Sequence, residues 1–172
     1  KRSEAARARL KELRVLISAA VKENQLHGLL KPVEEYLSLK PAAEQMKKLQ
    51  EQLIERDKQN AVQIAEMVKT AQGLRSECRF DEAAETLRRI PQQQQTQQLI
   101  DLLEDCESLS TTRATALYAL QEAQQTRQYR TGLHETDMYQ TILADQALDD
   151  QVFRTEYQSC ALALQQQQDA AE

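Results

Sequence analysis

Apolar residues recur along this chain at helical steps, and a few polar corners interrupt them. Leu10, Leu13, Ile17, Ala20 and Val21 advance by three or four residues, laying one stripe on a helix with Ser3 as its expected N-cap. Glu23-Asn24-Gln25 closes that stretch and Gly28 follows as a break. A shorter helix then carries Leu29, Leu30, Val33, Tyr36 and Leu37, with Pro32 in its first turn, where the missing N–H costs nothing. Pro41 resets the chain. From Ala42 to about Glu77 the apolar steps Met46, Leu49, Leu53, Ile64, Met67, Val68, Ala71 and Leu74 meet no breaker except Gly73. The pattern predicts one helix of about 35 residues, roughly 50 Å long at 1.5 Å per residue, or two pieces parted at Asp57–Asn60.

The next corner falls at Phe80-Asp81, with Asp81 as expected N-cap and Ala83, Ala84, Leu87 and Ile90 as the stripe of a short helix. Pro91 and Gln92–Gln95 end it. A second long segment follows through Leu99, Leu102, Cys106, Leu109, Ala116, Leu117, Leu120 and Ala123; Ser108, Ser110, Thr111 and Thr112 weaken it without a stop signal. Gly132 then precedes a short helix with Leu133, Thr136, Met138, Tyr139, Ile142 and Leu143. A last helix carries Leu148, Val152, Phe153, Tyr157, Cys160, Ala161 and Leu164. The Gln165–Gln168 run is low in complexity, and residues 165–172 are expected to fray.

Three corners can be superposed: 20–26, 74–80 and 123–129. Each ends a helix in polar residues and closes on one large apolar residue, Leu26, Phe80 or Tyr129. The spacings are 54 and then 49 residues, and a shift of 103 places Leu30 on Leu133, Tyr36 on Tyr139 and Leu39 on Ile142. A degenerate repeat of this length signals stacked α-hairpins. The expected fold is therefore all-α: antiparallel helical hairpin repeats with alternating short and long helices, as an α-solenoid or an elongated bundle. One domain is expected over residues 1–164, with corners near 24–28, 78–81 and 128–132.

Composition supports this architecture. Only 3 Gly and 3 Pro occur among 172 residues, too few to punctuate a sandwich, a barrel or a doubly wound sheet. Leu, Ala and Gln number 23, 22 and 25, and only 7 aromatics are available, so the core is aliphatic. The net charge of −5 is unevenly spread. Residues 1–60 hold 13 Lys+Arg against 9 Asp+Glu, whereas residues 61–172 hold 9 against 18. Such a dipole favours head-to-tail contact between segments or subunits. Cys78, Cys106 and Cys160 are odd in number and widely spaced, the pattern of reduced core thiols in a cytoplasmic protein rather than of a disulfide framework or a C-x-x-C site. No run approaches a membrane span, and residues 1–14 lack the apolar core of a signal peptide. A first residue of Lys instead of Met suggests a fragment of a longer polypeptide or a processed product.

The middle corner is the most specific. Cys78-Arg79-Phe80-Asp81-Glu82-Ala83-Ala84, with Leu87, Ile90 and Pro91, resembles the turn and second helix of a tetratricopeptide-like repeat. That resemblance implies Phe80 as turn aromatic, Ala83 as small packing residue, Leu87 as the following core residue and Pro91 as terminator. Cys78 stands where that family usually has Gly, and the spacings of 54 and 49 exceed its period of roughly 34 residues. The chain is also similar, over about residues 10–107, to helical tracts in the regulatory parts of large bacterial Ser/Thr kinase proteins. Ala20-Val21, Leu26, Val33-Glu34-Glu35, Leu37, Leu39, Pro41, Phe80, Ala83, Leu87 and Ile90-Pro91 carry that likeness. It implies a non-catalytic tract of a larger signalling protein; the glycine-rich loop and H-R-D sequence of a kinase are absent.

Catalytic chemistry finds few candidates. His27 and His134 are the only histidines, each beside a corner where a solvated polar residue is expected. The H-E-x-x-H spacing fails at Met138, and no paired Glu-x-x-His occurs, so no metal or cofactor is expected. The acid pairs Glu34-Glu35, Glu104-Asp105 and Asp149-Asp150 read as solvated helix surface. Lys1, Arg2, Arg7, Arg9, Lys11 and Arg14 form a basic cluster without interleaved aromatics, which points to no specific nucleic-acid recognition. The 3–4–3 steps of Leu99, Leu102, Cys106 and Leu109 match a coiled-coil seam and make a homo-oligomer conceivable. The function that fits is a non-catalytic scaffold or protein–protein interaction module; a coiled-coil spacer or oligomerisation element is the alternative.

Overall fold

The structure, a computed structural model, describes the backbone from Arg2 to Glu172 and the side chains from Ser3 onward. Lys1 and the Arg2 side chain of the basic cluster lie outside the described residues. The fold is all-α. Its helices are α1 (Arg2–Lys22), α2 (Leu30–Leu39), α3 (Glu44–Ser76), α4 (Phe80–Arg88), α5 (Gln97–Thr126), α6 (Tyr129–His134), α7 (Asp137–Asp145) and α8 (Gln151–Ala171). A single 3-10 turn at Gln92–Gln94 links α4 to α5, and no strand occurs among the described residues. No helix among them is long and apolar enough to cross a membrane.

Both long helices are continuous. α3 runs 33 residues through Asp57–Asn60, so the interruption weighed there is not found. α5 runs 30 residues through its Ser/Thr stretch because those hydroxyls bond back to carbonyls one turn earlier: Thr111 to Glu107, Thr112 to Ser108 and Thr115 to Thr111. Thr96 caps α5 by accepting from the Leu99 N–H at 3.3 Å.

The chain divides into two compact units, Lys1–Ala65 and Glu66–Glu172, with the boundary inside α3. A single domain over 1–164 was the expectation. The charge step of the sequence coincides with this boundary, since residues 61–65 carry no charge. In the first unit, Leu13 and Ile17 of α1, Leu29, Val33 and Tyr36 around α2, and Leu53 of α3 form the core, with Leu26 packed against it. From Ile54 to Thr70 no residue of α3 is buried. In the second unit, Cys78, Phe80, Leu109, Ala116, Leu120, Ala123, Tyr139, Phe153 and Cys160 form the core, with Tyr129 packed against it. Tyr139 and Phe153 meet edge to face with ring centroids 4.9 Å apart, a favoured aromatic geometry. All three cysteines are free and buried in this unit.

The left-handed residue that ends the helix at each corner is not glycine, although Gly28 adds a second left-handed residue, at φ 70°, to the first corner. Asn24, Cys78 and Arg127, each fifth in the three superposed segments, have φ of 55°, 61° and 58°. Ala147 adds a fourth corner at 52°. At Asn24, Cys78 and Ala147 the paired backbone bonds of a Schellman motif follow, such as Arg79 N–H to Leu74 O at 2.9 Å and Cys78 N–H to Arg75 O at 3.0 Å. Cys78 thus holds the left-handed conformation that glycine adopts without strain, while its side chain fills the core.

Several expectations are corrected. α4 starts at Phe80 with Arg79 as N-cap, not Asp81: burial of Phe80 draws the helix start back one residue, and Asp81 accepts from Ser110 of α5 instead. Ser3 lies inside α1 rather than capping it. Gly132 is no corner; it is buried within α6, where an added Cβ would stand 2.3 Å from Ala123 Cβ and 3.0 Å from Ala119 O. The expected helix over Leu133–Leu143 breaks at Glu135-Thr136, and the buried Thr136 hydroxyl donates to Leu133 O at 2.6 Å. α8 continues through the glutamine run to Ala171, where Gln167 Nε2 donates to Arg127 O at 3.3 Å and Gln165 Nε2 to Asp169 at 2.8 Å.

Glycine substitutions check the packing. Gly132→Ala is expected to destabilise by about 1–3 kcal/mol, because α6 must move off α5. Gly73→Ala, where a Cβ meets nothing within 4 Å, is expected to stabilise by about 0.5–1 kcal/mol through helix propensity. Urea unfolding followed by circular dichroism measures both, and equal effects of the same sign would contradict the packing.

Candidate functional site

The positions singled out from sequence disperse. Phe80, Ala83 and Leu87 are buried along α4, and Tyr129 is half-buried at the start of α6; these belong to the second unit. Leu26 is half-buried in the first unit, and Pro91 is exposed beyond the end of α4. These side chains pack helices and present no reactive group. Of the coiled-coil seam, Cys106 and Leu109 are buried within the chain, whereas Leu99 and Leu102 are half-buried. His27 is exposed, and the exposed His134 pairs through Nδ1 with Asp137 at 2.9 Å. Among the described residues no group of three or more His, Cys, Asp or Glu side chains is arranged to hold a metal ion.

A cleft of about 730 Å³ opens in the second unit. Its walls are the α3–α4 corner, the middle of α5 and the α7–α8 corner, three places where helices end or are indented by small residues such as Ser110 and Ala114. Glu77, Asp81, Glu82 and Asp149 give it an acidic lining, and Val152 lies on it 57% exposed. Arg79 belongs to the same wall but is held by Glu82 and, at 3.3 Å, by Glu77.

Asp150 ties these walls together. Its side chain is only 3% exposed, whereas that of its neighbour Asp149 is 68% exposed and pairs with Arg154. The reading of Asp149-Asp150 as a solvated pair therefore fails for Asp150. One carboxylate oxygen accepts from Tyr139 Oη at 2.5 Å and Arg113 Nε at 2.7 Å; the other accepts from the Phe153 N–H at 3.2 Å and Arg113 Nη2 at 3.4 Å. Asp150 is thus the N-cap of α8 and the anchor of α5 and α7 at once. An Asp three residues before Phe153 is a capping signal in the sequence, hidden here because the apolar stripe extends back to Leu148.

Burial alone pushes the Asp150 carboxyl up, but hydrogen bonds from Arg113, Tyr139 and the Phe153 N–H outweigh it and hold it below the ordinary value. Burial and the carboxylate together push the Tyr139 hydroxyl well above its ordinary value. Burial likewise raises the Cys78 thiol, with the Asp150 charge adding to it, so this cysteine stays protonated and unreactive at neutral pH. Every buried side-chain nitrogen and oxygen among the described residues has a partner. The cleft therefore rests on a closed polar network, and its lining holds carboxylates and arginines largely paired with one another, the Ser76 and Ser110 hydroxyls, Gln151 and apolar side chains such as Leu117 and Val152.

Asp150→Ala is expected to destabilise the second unit by about 3–5 kcal/mol, since it strands Arg113 and the buried Tyr139 hydroxyl. Tyr139→Phe removes one hydrogen bond and is expected to cost about 1–2 kcal/mol. Because the folded pKa of Asp150 lies below its unfolded value of about 3.9, its stabilisation is complete above that pH and is lost as pH falls through the folded pKa. Denaturant unfolding from pH 6 downward should show this loss in the wild type and a flatter profile in Asp150→Asn; parallel profiles would contradict the assignment.

No protein family matches the chain, and neither a curated protein nor a solved structure matches it.

Proposed function

We propose that this chain is a non-catalytic protein–protein interaction module whose second unit docks a positively charged polypeptide segment in the acidic cleft. The cleft itself carries the reading. Its acids line two of the three converging walls, the α3–α4 and α7–α8 corners, it offers apolar Val152 to a side chain of the partner, and the polar groups beneath it are satisfied by one another. A reaction site needs a nucleophile, base or electrophile free to meet a substrate atom. A docking site needs shape, complementary charge and a firm support.

The likeness to helical tracts of bacterial Ser/Thr kinase proteins fits such a module within a larger cytoplasmic signalling protein. The common left-handed residue at Asn24, Cys78 and Arg127 supports recurring α-hairpins, although the split of one short helix into α6 and α7 departs from a strict repeat. A second reading, a structural spacer, draws on α3, which spans 33 residues and buries none between Ile54 and Thr70.

Titration of a synthetic arginine-rich helical peptide into isotope-labelled protein separates the two. Docking predicts salt-sensitive amide shifts at residues 76–82, 110–117 and 149–152, reduced at least about tenfold in affinity by Glu77→Lys with Asp149→Lys. Shifts absent from these segments would favour the spacer.

A further inference from the structure

A face of α1 away from its core bears a basic stripe, with Glu4, one turn before Arg7, as the acid on it. Leu10, Leu13, Ile17 and Ala20 turn inward. Arg7, Lys11, Arg14, Ser18 and Lys22, at steps of four, three, four and four, share an outer face and are all exposed. Arg9, off this stripe, is held by Glu35 and Glu12. Arg7, Lys11, Arg14 and Lys22 form no ion pair among the described residues. Val15 adjoins the stripe and is 64% exposed. An amphipathic basic helix with an apolar side chain at its edge is the chemistry that the acidic cleft of the second unit accepts.

We infer that the occupant of the cleft is α1 of a second copy of this chain, so that copies join head to tail. The inference rests on the docking function proposed above and names its partner. Its ground is the division of charge: the unit Lys1–Ala65 carries 13 Lys+Arg against 9 Asp+Glu, and the unit Glu66–Glu172 carries 9 against 18. Each copy thus presents one surface of each sign, on separately packed units, and the two surfaces are complementary to each other rather than to themselves. Such a pairing is heterologous: each contact leaves one basic stripe and one acidic cleft unfilled, and growth continues until a ring closes or an open chain forms. A nucleic acid or an anionic lipid surface would also meet the basic stripe, but it would leave the acidic cleft without an occupant.

Sedimentation velocity of the intact chain tests this. The wild type should self-associate with rising concentration at low salt and dissociate as salt screens the contact. Arg7→Gln with Lys11→Gln and Arg14→Gln removes the stripe's charge, and Glu77→Gln with Asp149→Asn removes charge from the cleft without creating a new complementary pair. All five positions are exposed, and circular dichroism checks that each variant remains folded. Either variant alone should associate at least about tenfold more weakly than the wild type. Mixed in equal amounts, the two should form a one-to-one dimer and nothing larger, because one intact stripe and one intact cleft remain. A wild type that stays monomeric while its cleft still binds the arginine-rich peptide overturns the second-copy partner and leaves the docking function standing. Failure of both ends both. Self-association that is unchanged in the two variants, or retention of duplex DNA or anionic vesicles by α1 without self-association, also overturns the inference.

Discussion

A single carboxylate holds the second unit in register. Asp150 lies in the short link between α7 and α8, and it reaches α5 through Arg113, α7 through Tyr139 and α8 through the Phe153 N–H. Helices with mostly aliphatic faces can slide along one another at little cost, because one leucine ridge resembles the next. A buried charge with directional donors removes that freedom, since displacement by one turn would strand it. Above this anchor, Phe153 and Tyr139 meet edge to face, and Cys78 completes the α3–α4 corner beside them. The cleft is the outer side of the same arrangement, so its shape follows from the anchor beneath it.

Close packing of small residues provides the other restraint. α5 presents Ala116, Ala119 and Ala123 where a helix rich in larger side chains would keep its neighbours away, and α6 answers with Gly132. Nearer the start of α5, ion pairs join it to other helices at the surface: Arg75 of α3 reaches Asp105 of α5 at 2.7 Å, and Arg88 of α4 reaches Glu107 at 2.9 Å. Few aromatics are needed when backbones approach this closely. This reconciles a low aromatic content with well-buried cores in both units.

Most helices and their order were legible because spacing of apolar residues is a local property, and the Leu109-to-Ala123 stripe or the Ala83-to-Ile90 stripe repeats it faithfully; the continuity of the two long spans and the split between α6 and α7 were not. The site was not legible in the same way. Asp150 looks like its exposed neighbour until Arg113, 37 residues earlier, and Tyr139, 11 residues earlier, are brought to it. Gly132 looked like punctuation because glycine usually breaks helices, yet its role depends on Ala119 and Ala123 of another helix. Cys78 hides a turn for the opposite reason: scarcity of glycine does not mean scarcity of left-handed corners when the protein places Asn, Cys, Arg and Ala there. Contacts between distant segments decide each of these cases, and no window along the chain contains them.

The cysteines give the two units different chemical visibility. Cys78, Cys106 and Cys160 all belong to the second unit, are buried and are unpaired, while the first unit has none. A thiol-selective reagent added to the native protein is therefore blind to any loosening of Lys1–Ala65 and reacts only when Glu66–Glu172 opens. The three thiols lie in different places, at the α3–α4 corner, on α5 and on α8, so the order in which they become labelled maps how that opening spreads. The unmodified chain carries its own clock for the breathing of one half.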